Sequence, residues 1–306
     1  MSLSIFGFQA NWSPYFLISL LVITAFYFYV TVKKRNAFQE SEPLTRNEIG
    51  YFMSGMVLLY IIKGSPVDIL GHILFAVHMG QMAFLLLLVP ILLMKGIPWW
   101  VWEAILRKSA IRKPLQFLTK PLLSLIIFSM FFSFYHIPLI HDQIKMNELV
   151  HATVTSLLFL SAFLMWWSVI DVTRNQKTLH GLKKIGFIIA SAVLITPACA
   201  LIIFASEPMY ATYTESDAWL KSMELCVPAS TLADIDQAGI TLSGPELFTG
   251  MSAVEDQQLG GIIMKIIQEV IYAVLLASVF FTWYRNEQAG ADEITEQAMR
   301  DLQAKA

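Results

Sequence analysis

The sequence contains little charge. Only 14% of its 306 residues are Asp, Glu, Lys or Arg, whereas 56% are hydrophobic, and the mean hydropathy is +0.60. Soluble globular domains carry about 25% charged residues. The composition therefore excludes a soluble globular protein and predicts an integral membrane protein whose main solvent is the lipid bilayer.

The sequence also lacks the motifs of several enzyme classes. Its two cysteines, Cys199 and Cys226, form no CxxC, which excludes a thioredoxin-like redox motif and a zinc-binding cysteine pair. There is no P-loop, no Rossmann glycine pattern and no HExxH. We therefore expect no enzyme. Because no basic region precedes the first apolar run, we expect that run to be a retained span and not a cleaved signal peptide.

Seven apolar runs are long enough, or nearly so, to cross the hydrocarbon core as helices of about 20 residues. They predict an all-α bundle of seven transmembrane helices within a membrane domain of residues 1–285, followed by a polar tail at 286–306. The predicted spans are 13–32, 48–63, 69–94, 120–140, 149–171, 184–205 and 258–284.

The distribution of basic residues predicts the orientation. Seventeen of the 21 Lys and Arg residues fall in alternate connecting segments, and the other four are Lys63, Lys145, Lys221 and Lys265. Because cytoplasmic loops are rich in Lys and Arg, we expect the N-terminus outside and the C-terminus in the cytoplasm. The basic loops are thereby explained without a nucleic-acid partner. The long acidic outer loop, about 206–257, should have local structure or a function.

This topology places five of the six histidines in the outer half of the protein. His78 and Met82 lie four residues apart and therefore share one face of the helix. Met79 lies three residues before Met82, close to the same face. Asp256 opens the last span at a similar level. The five histidines are His72, His78, His136, His141 and His151.

Imidazoles and thioethers together favour Cu(I), a soft cation. Hard cations need converging carboxylates, and structural zinc needs four close Cys or His ligands; neither pattern is present. Other interpretations remain open. Histidine pairs on neighbouring spans can hold haem, His and Asp can relay protons at a quinone site, and methionines often only fill a core. His141 and His151 fit a wetted membrane interface equally well.

The order of several motifs resembles the CtaG family, the assembly factors of bacterial caa3-type cytochrome c oxidase. The motifs are "HMGQM" followed by "LLLLVPILLMKGIP", then "YHIP", His151 early in the next span, and "DQQLGG" at the start of the last span. The resemblance covers most of the chain and implies a multi-pass protein of the bacterial plasma membrane that handles copper for the oxidase. Its motif residues here are His78, His136, His151 and Asp256. Many relatives have a second histidine where this chain has Met82, a change that keeps the capacity for Cu(I).

The prediction is therefore a non-enzymatic assembly factor that binds Cu(I) near the outer face and delivers it to an oxidase subunit. The predicted ligands are His78, Met79, Met82, His136 and His151, with His72 and Asp256 nearby. The alternatives are a haem- or quinone-binding redox protein, a copper transporter, and an assembly scaffold without metal. A transporter would need polar residues through the full depth of a pathway, and the inner halves of spans three to five have few.

Overall fold

The computed structural model describes residues 1–174 and 179–305, with side chains omitted at 292–296, 298, 301, 302, 304 and 305. Lys177, one of the 17 basic residues in the predicted cytoplasmic segments, lies outside the described residues. Every regular element in the described ranges is helical. The α-helices are α1 (Gly7–Trp12), α2 (Pro14–Phe28), α3 (Arg46–Gly64), α4 (Pro66–Ile73), α5 (Phe75–Ala83), α6 (Val89–Gly96), α7 (Trp99–Leu106), α8 (Ser109–Leu118), α9 (Pro121–Tyr135), α10 (Pro138–Lys145), α11 (Glu148–Trp167), α12 (Gly181–Ile203), α13 (Ser216–Met223), α14 (Ala229–Gln237) and α15 (Ala253–Lys305).

The helices confirm the predicted all-α membrane architecture. Five continuous segments are long and apolar enough to cross a bilayer. Two bent pairs of helices are also long and apolar enough when each pair is counted as one span: α3 with α4, bent by 49°, and α8 with α9, bent by 75°. The described chain therefore has five to seven membrane-spanning helices, and seven agrees with the prediction. The five continuous segments that are long and apolar enough to cross a bilayer are Leu3–Lys33, Phe75–Gly96, Glu148–Trp167, Gly181–Ile203 and Ala253–Ala291.

The predicted third span, 69–94, is interrupted. Leu74 has extended backbone angles and separates α4 from α5. The start of α5 is capped by Asp256, whose carboxylate oxygens accept hydrogen bonds from the amides of Phe75 (2.7 Å) and Ala76 (3.1 Å). A carboxylate at a helix N-terminus satisfies amides that lack partners in the helix and interacts favourably with the helix dipole. His72 therefore lies on a separate short helix and not on the span that carries His78.

The same span contains an irregular turn near Pro90. Residues Phe84–Leu88 form a π-helical turn directly before α6, whose first turn contains Pro90. Proline lacks an amide hydrogen and leaves a carbonyl in the preceding turn without its helical partner. The indole of Trp166 donates to the Leu86 carbonyl at 3.1 Å, so a neighbouring helix supplies the missing hydrogen bond.

The long segment 206–252 packs over one end of the bundle, which we call the loop end. Trp219 and Met223 of α13 are buried in one apolar cluster with Phe6 from the N-terminal segment and Ile69 of α4. The predicted outer loop is therefore folded. Its position outside the cell stays a prediction, as does the orientation of both termini. At the opposite end α15 continues through the predicted tail, 286–306, as far as Lys305.

Candidate functional site

Five histidines lie near the loop end, and we call them the histidine cluster: His72, His78, His136, His141 and His151. Four of the five are buried, and His151 is partly buried. They are contributed by α4, α5, the end of α9, α10 and the first turn of α11. The expectation of a wetted interface is not met for His141, whose exposed fraction is 0%.

His78 and His141 form the centre of this cluster. Their ring centroids lie 5.3 Å apart. The Nε2 atom of His78 is 3.0 Å from the hydroxyl of Tyr135, and the His141 ring packs against Tyr135 and Tyr210, each with a centroid separation of 5.0 Å. Phe75 completes this aromatic surrounding. The two imidazoles therefore share a pocket from which water is largely excluded.

A second pair of histidines is formed by His72 and His151, whose ring centroids lie 6.0 Å apart. His136 lies beyond Tyr135, at a centroid separation of 5.4 Å. Its Nδ1 donates to the Phe132 carbonyl at 2.6 Å. The structure thus brings together five histidines from five helical elements.

Several imidazole nitrogens in the cluster are buried without a hydrogen-bond partner in the described chain. They are Nδ1 of His72, Nε2 of His136, and both ring nitrogens of His141. The Tyr135 carbonyl faces His141, but without the geometry of a hydrogen bond. Buried polar atoms are seldom left unpaired in proteins. Unpaired imidazole nitrogens in one region are therefore candidates for ligand binding.

A buried lysine adds charge to this region. Lys145 is fully buried at the end of α10, and its Nζ donates to the Tyr213 hydroxyl at 2.6 Å. Tyr213 in turn donates to the Gly71 carbonyl at 2.8 Å. Because burial disfavours the charged form, the pKa of Lys145 falls to about 7. Burial, and then the nearby Lys145, likewise lower the pKa of His141 well below its usual value.

Two carboxylates near the cluster act as structural anchors. Asp142 accepts hydrogen bonds from the amides of Ala211 (2.9 Å) and Thr212 (3.1 Å), which holds the turn that positions Tyr210 and Tyr213. Asp256 caps α5, as described above. Both carboxylates are already hydrogen-bonded to backbone amides, so neither is free to approach the imidazoles without breaking those bonds.

The two predicted methionine ligands are buried in the main core. Met79 packs against α15: a Cβ atom at Gly260 would lie 3.1 Å from its Cγ. Met82 is one helical turn after His78 and so lies on the same face of the helix. Of the two, Met82 is therefore the better placed to join the histidines.

The described residues contain no group of three or more His, Cys, Asp or Glu side chains in a metal-binding arrangement. Cys199 and Cys226 are free thiols in the structure. Any metal site here would therefore need methionine ligands or small side-chain rotations.

Sequence reasoning did not select His141, Lys145 or the three tyrosines. The signal that was available is the composition of α10, "PLIHDQIK", which places a histidine, an acid and a lysine within five residues. Tyr213 and Tyr210 carried no sequence signal, because they belong to a loop about 70 residues further along the chain.

Comparison with known proteins identifies the family. No curated protein and no solved structure matches the chain. The family model described as cytochrome c oxidase caa3 assembly factor (Caa3_CtaG) matches residues 25–286. That match includes every residue of the histidine cluster and most of the membrane-spanning helices, in keeping with a multi-pass bacterial membrane protein. The chain therefore belongs to the family of caa3-type cytochrome c oxidase assembly factors.

Proposed function

We propose that this assembly factor binds Cu(I) as cargo in the histidine cluster and delivers it to the oxidase. The observation that carries the proposal is the set of buried imidazole nitrogens of His72, His136 and His141 that have no hydrogen-bond partner among the described residues. Buried imidazole nitrogens with no partner gain more from a bound cation than exposed imidazole nitrogens, which already bond to water.

The donor set suits Cu(I) better than other metals. Imidazole and thioether are the available groups, from the histidine cluster and Met82, and these soft or borderline donors favour Cu(I). Hard cations would need carboxylate oxygens, and both Asp142 and Asp256 are held by backbone amides. Because Cu(I) accepts a small number of soft ligands, such a site would leave coordination positions for a ligand of the recipient.

Lys145 fits a site from which the ion must leave. A positive charge near the imidazoles weakens the binding of any cation. With a pKa of about 7, the amine of Lys145 exists partly in its neutral form near neutral pH, so binding is weakened without being abolished. A nearby amine that can carry a positive charge therefore favours release of the ion over storage.

A scaffold without metal is a second candidate function. It is favoured by the absence of a preformed group of three His, Cys, Asp or Glu ligands anywhere in the described ranges. A haem site has less support, because the His141 ring is packed against Phe75, Tyr135, Tyr210 and Tyr213 at centroid distances of 5.0 to 6.2 Å. A porphyrin would have to displace these rings.

The test uses a bacterial host that makes a caa3-type oxidase and lacks its own copy of this factor. The variant His78→Gln with His141→Gln keeps side chains of similar size and removes both imidazoles. His180→Gln, exposed at the opposite end, is the matched control. We expect the double variant to accumulate normally in the membrane but to lose oxidase activity, with partial recovery when copper is added to the medium.

Normal oxidase activity in the double variant would contradict the copper proposal. Loss of activity that added copper does not restore, together with no copper in the purified wild-type protein, would favour the scaffold.

A further inference from the structure

The last helix carries an ion pair inside its membrane-spanning part. Lys265 Nζ lies 2.6 Å from Glu269 Oε1 and also donates to the Thr196 hydroxyl of α12 at 2.9 Å. Both charged residues fall within Ala253–Ala291, which is long and apolar enough to span a bilayer. Both also lie within the predicted last span, 258–284.

The pair lies deep in the span. At a rise of 1.5 Å per residue, Glu269 is about 16 Å along the helix from Gln258 and about 24 Å from Arg285, the polar residues that flank the apolar stretch. The hydrocarbon core is about 30 Å thick. Glu269 therefore lies near the middle of the membrane.

The pair is also exposed. The side chain of Glu269 is 58% exposed and that of Lys265 is 27% exposed. Ile266, Val270 and Val274 are exposed on the same side of α15. By contrast, the neighbouring Gln268 is fully buried and donates to the Ala192 carbonyl of α12 at 3.3 Å. In the isolated protein the Glu269 carboxylate would thus face lipid, where charged groups are costly and are normally turned toward protein or water.

The side chain of Lys265 does not extend toward the nearer membrane surface. Lysines near a helix end usually extend toward the nearer interface. Lys265 is nearer to the loop end, yet its ammonium binds Glu269, one turn deeper in the span. The pair is therefore held at mid-membrane depth.

The surface beside the pair permits another helix to approach closely. Ala273 and Ala277 follow Glu269 at intervals of four residues, and both are exposed. Small residues at this spacing are typical of contacts between transmembrane helices, because they let the two backbones come close. We call the exposed surface formed by Lys265, Glu269, Ala273 and Ala277 the α15 face.

We propose that the α15 face binds a transmembrane helix of the oxidase under assembly, and that this helix presents a hydrogen-bond-donating side chain such as Ser, Thr, Asn or Gln to Glu269. The proposal rests on the assembly role of the family and not on copper binding. A neutral donor fits because Lys265 already balances the charge of Glu269. A second copy of this chain fits less well, because it would present Lys265 and Glu269, which are already bonded to each other, and no neutral donor for the Glu269 carboxylate.

The first test is site-specific photo-crosslinking in cells that make the oxidase. A benzoylphenylalanine at Val270, on the same side as the pair, is compared with one at Leu160, an exposed position in α11. We expect an adduct with an oxidase subunit from Val270 and little or none from Leu160, because only the α15 face would contact the partner helix. Adducts only with a second copy, or none above the control, would overturn the proposal.

The second test uses the double variant Lys265→Leu with Glu269→Leu, which makes the α15 face apolar and leaves no single charge behind. We expect the Val270 adduct to fall about tenfold, while thermal stability in detergent and Cu(I) content stay at wild-type values. An undiminished adduct would contradict the role of the pair. The variant His78→Gln with His141→Gln should keep the adduct, which separates failure of this proposal from failure of the copper proposal.

Discussion

At the scale of single residues, the contacts of Asp256 indicate a structural role and not a metal-binding one. Its two oxygens accept the amides of Phe75 and Ala76, whereas the sequence placed it among the metal-site residues. Asp256→Asn leaves one acceptor oxygen and removes the charge. We expect unfolding free energy to fall by about 1–3 kcal/mol, measured by thermal or denaturant unfolding in detergent, with Cu(I) content unchanged.

Asp217→Asn is a control for the loss of charge alone. Asp217 lies in the exposed first turn of α13, so the same substitution should change stability little. If Asp256→Asn lost copper while its stability stayed at the wild-type value, Asp256 would be a ligand and not a cap.

Burial decides which residues of the cluster matter chemically, and burial is what the sequence shows least. Position in the outer half of the protein, helix spacing and the family resemblance together marked His72, His78, His136 and His151. His141 and Lys145 lie in a polar stretch that resembles an ordinary loop, and they are buried because the turn at 211–213, held by Asp142, packs over them. A contact made about 70 residues away cannot be inferred from local pattern.

At the scale of elements, the junction between α4 and α5 depends on one close contact. A Cβ atom at Gly71 would lie 1.8 Å from Oε1 of Gln81. The Gln81 amide donates to the Ile62 carbonyl (2.6 Å) and the Val67 carbonyl (3.1 Å), which ties α3 and α4 to α5. Gly71→Ala would displace Gln81 and break these bonds, so we expect a loss of about 2–4 kcal/mol in unfolding free energy.

Gly50→Ala is the matched control for this measurement. Gly50 also lies in a helix, but nothing is within 4 Å of an added Cβ, and alanine favours a helix by about 0.5–1 kcal/mol. The two substitutions should therefore change unfolding free energy in opposite directions. Equal effects would mean that the contact with Gln81 does not hold this junction.

The helix break at Leu74 could not be predicted from local sequence. The apolar run from 69 to 94 contains no proline near Leu74, so local sequence indicates one continuous helix. The interruption is stabilised by Asp256, about 180 residues further along. By contrast, the start of α3 is marked by a local signal, the capping box formed by Thr45 and Glu48.

At the scale of the whole molecule, composition and apolar run length were sufficient for the fold. A chain with this little charge must place its helices in lipid, and helices satisfy their own backbone hydrogen bonds there. The exposed pair of Lys265 and Glu269 could not be foreseen, because sequence does not show which side of a span faces its neighbours.

Sidedness is a prediction of the charge distribution and can be measured directly. Single cysteines at Glu215 and at Lys113, both exposed positions at opposite ends, are introduced into a chain with Cys199→Ala and Cys226→Ala. A membrane-impermeant maleimide applied to intact cells should label position 215 and should label position 113 only after lysis. The reverse pattern would place the histidine cluster near the cytoplasm.

The most direct test of the account is the Cu(I) content of the purified, detergent-solubilised protein after anaerobic loading. We expect about one Cu(I) per chain in the wild type, the same in His180→Gln, and nearly none in the double variant His78→Gln with His141→Gln. Equal copper in the wild type and the double variant, or none in the wild type, would contradict a copper cargo site in the histidine cluster.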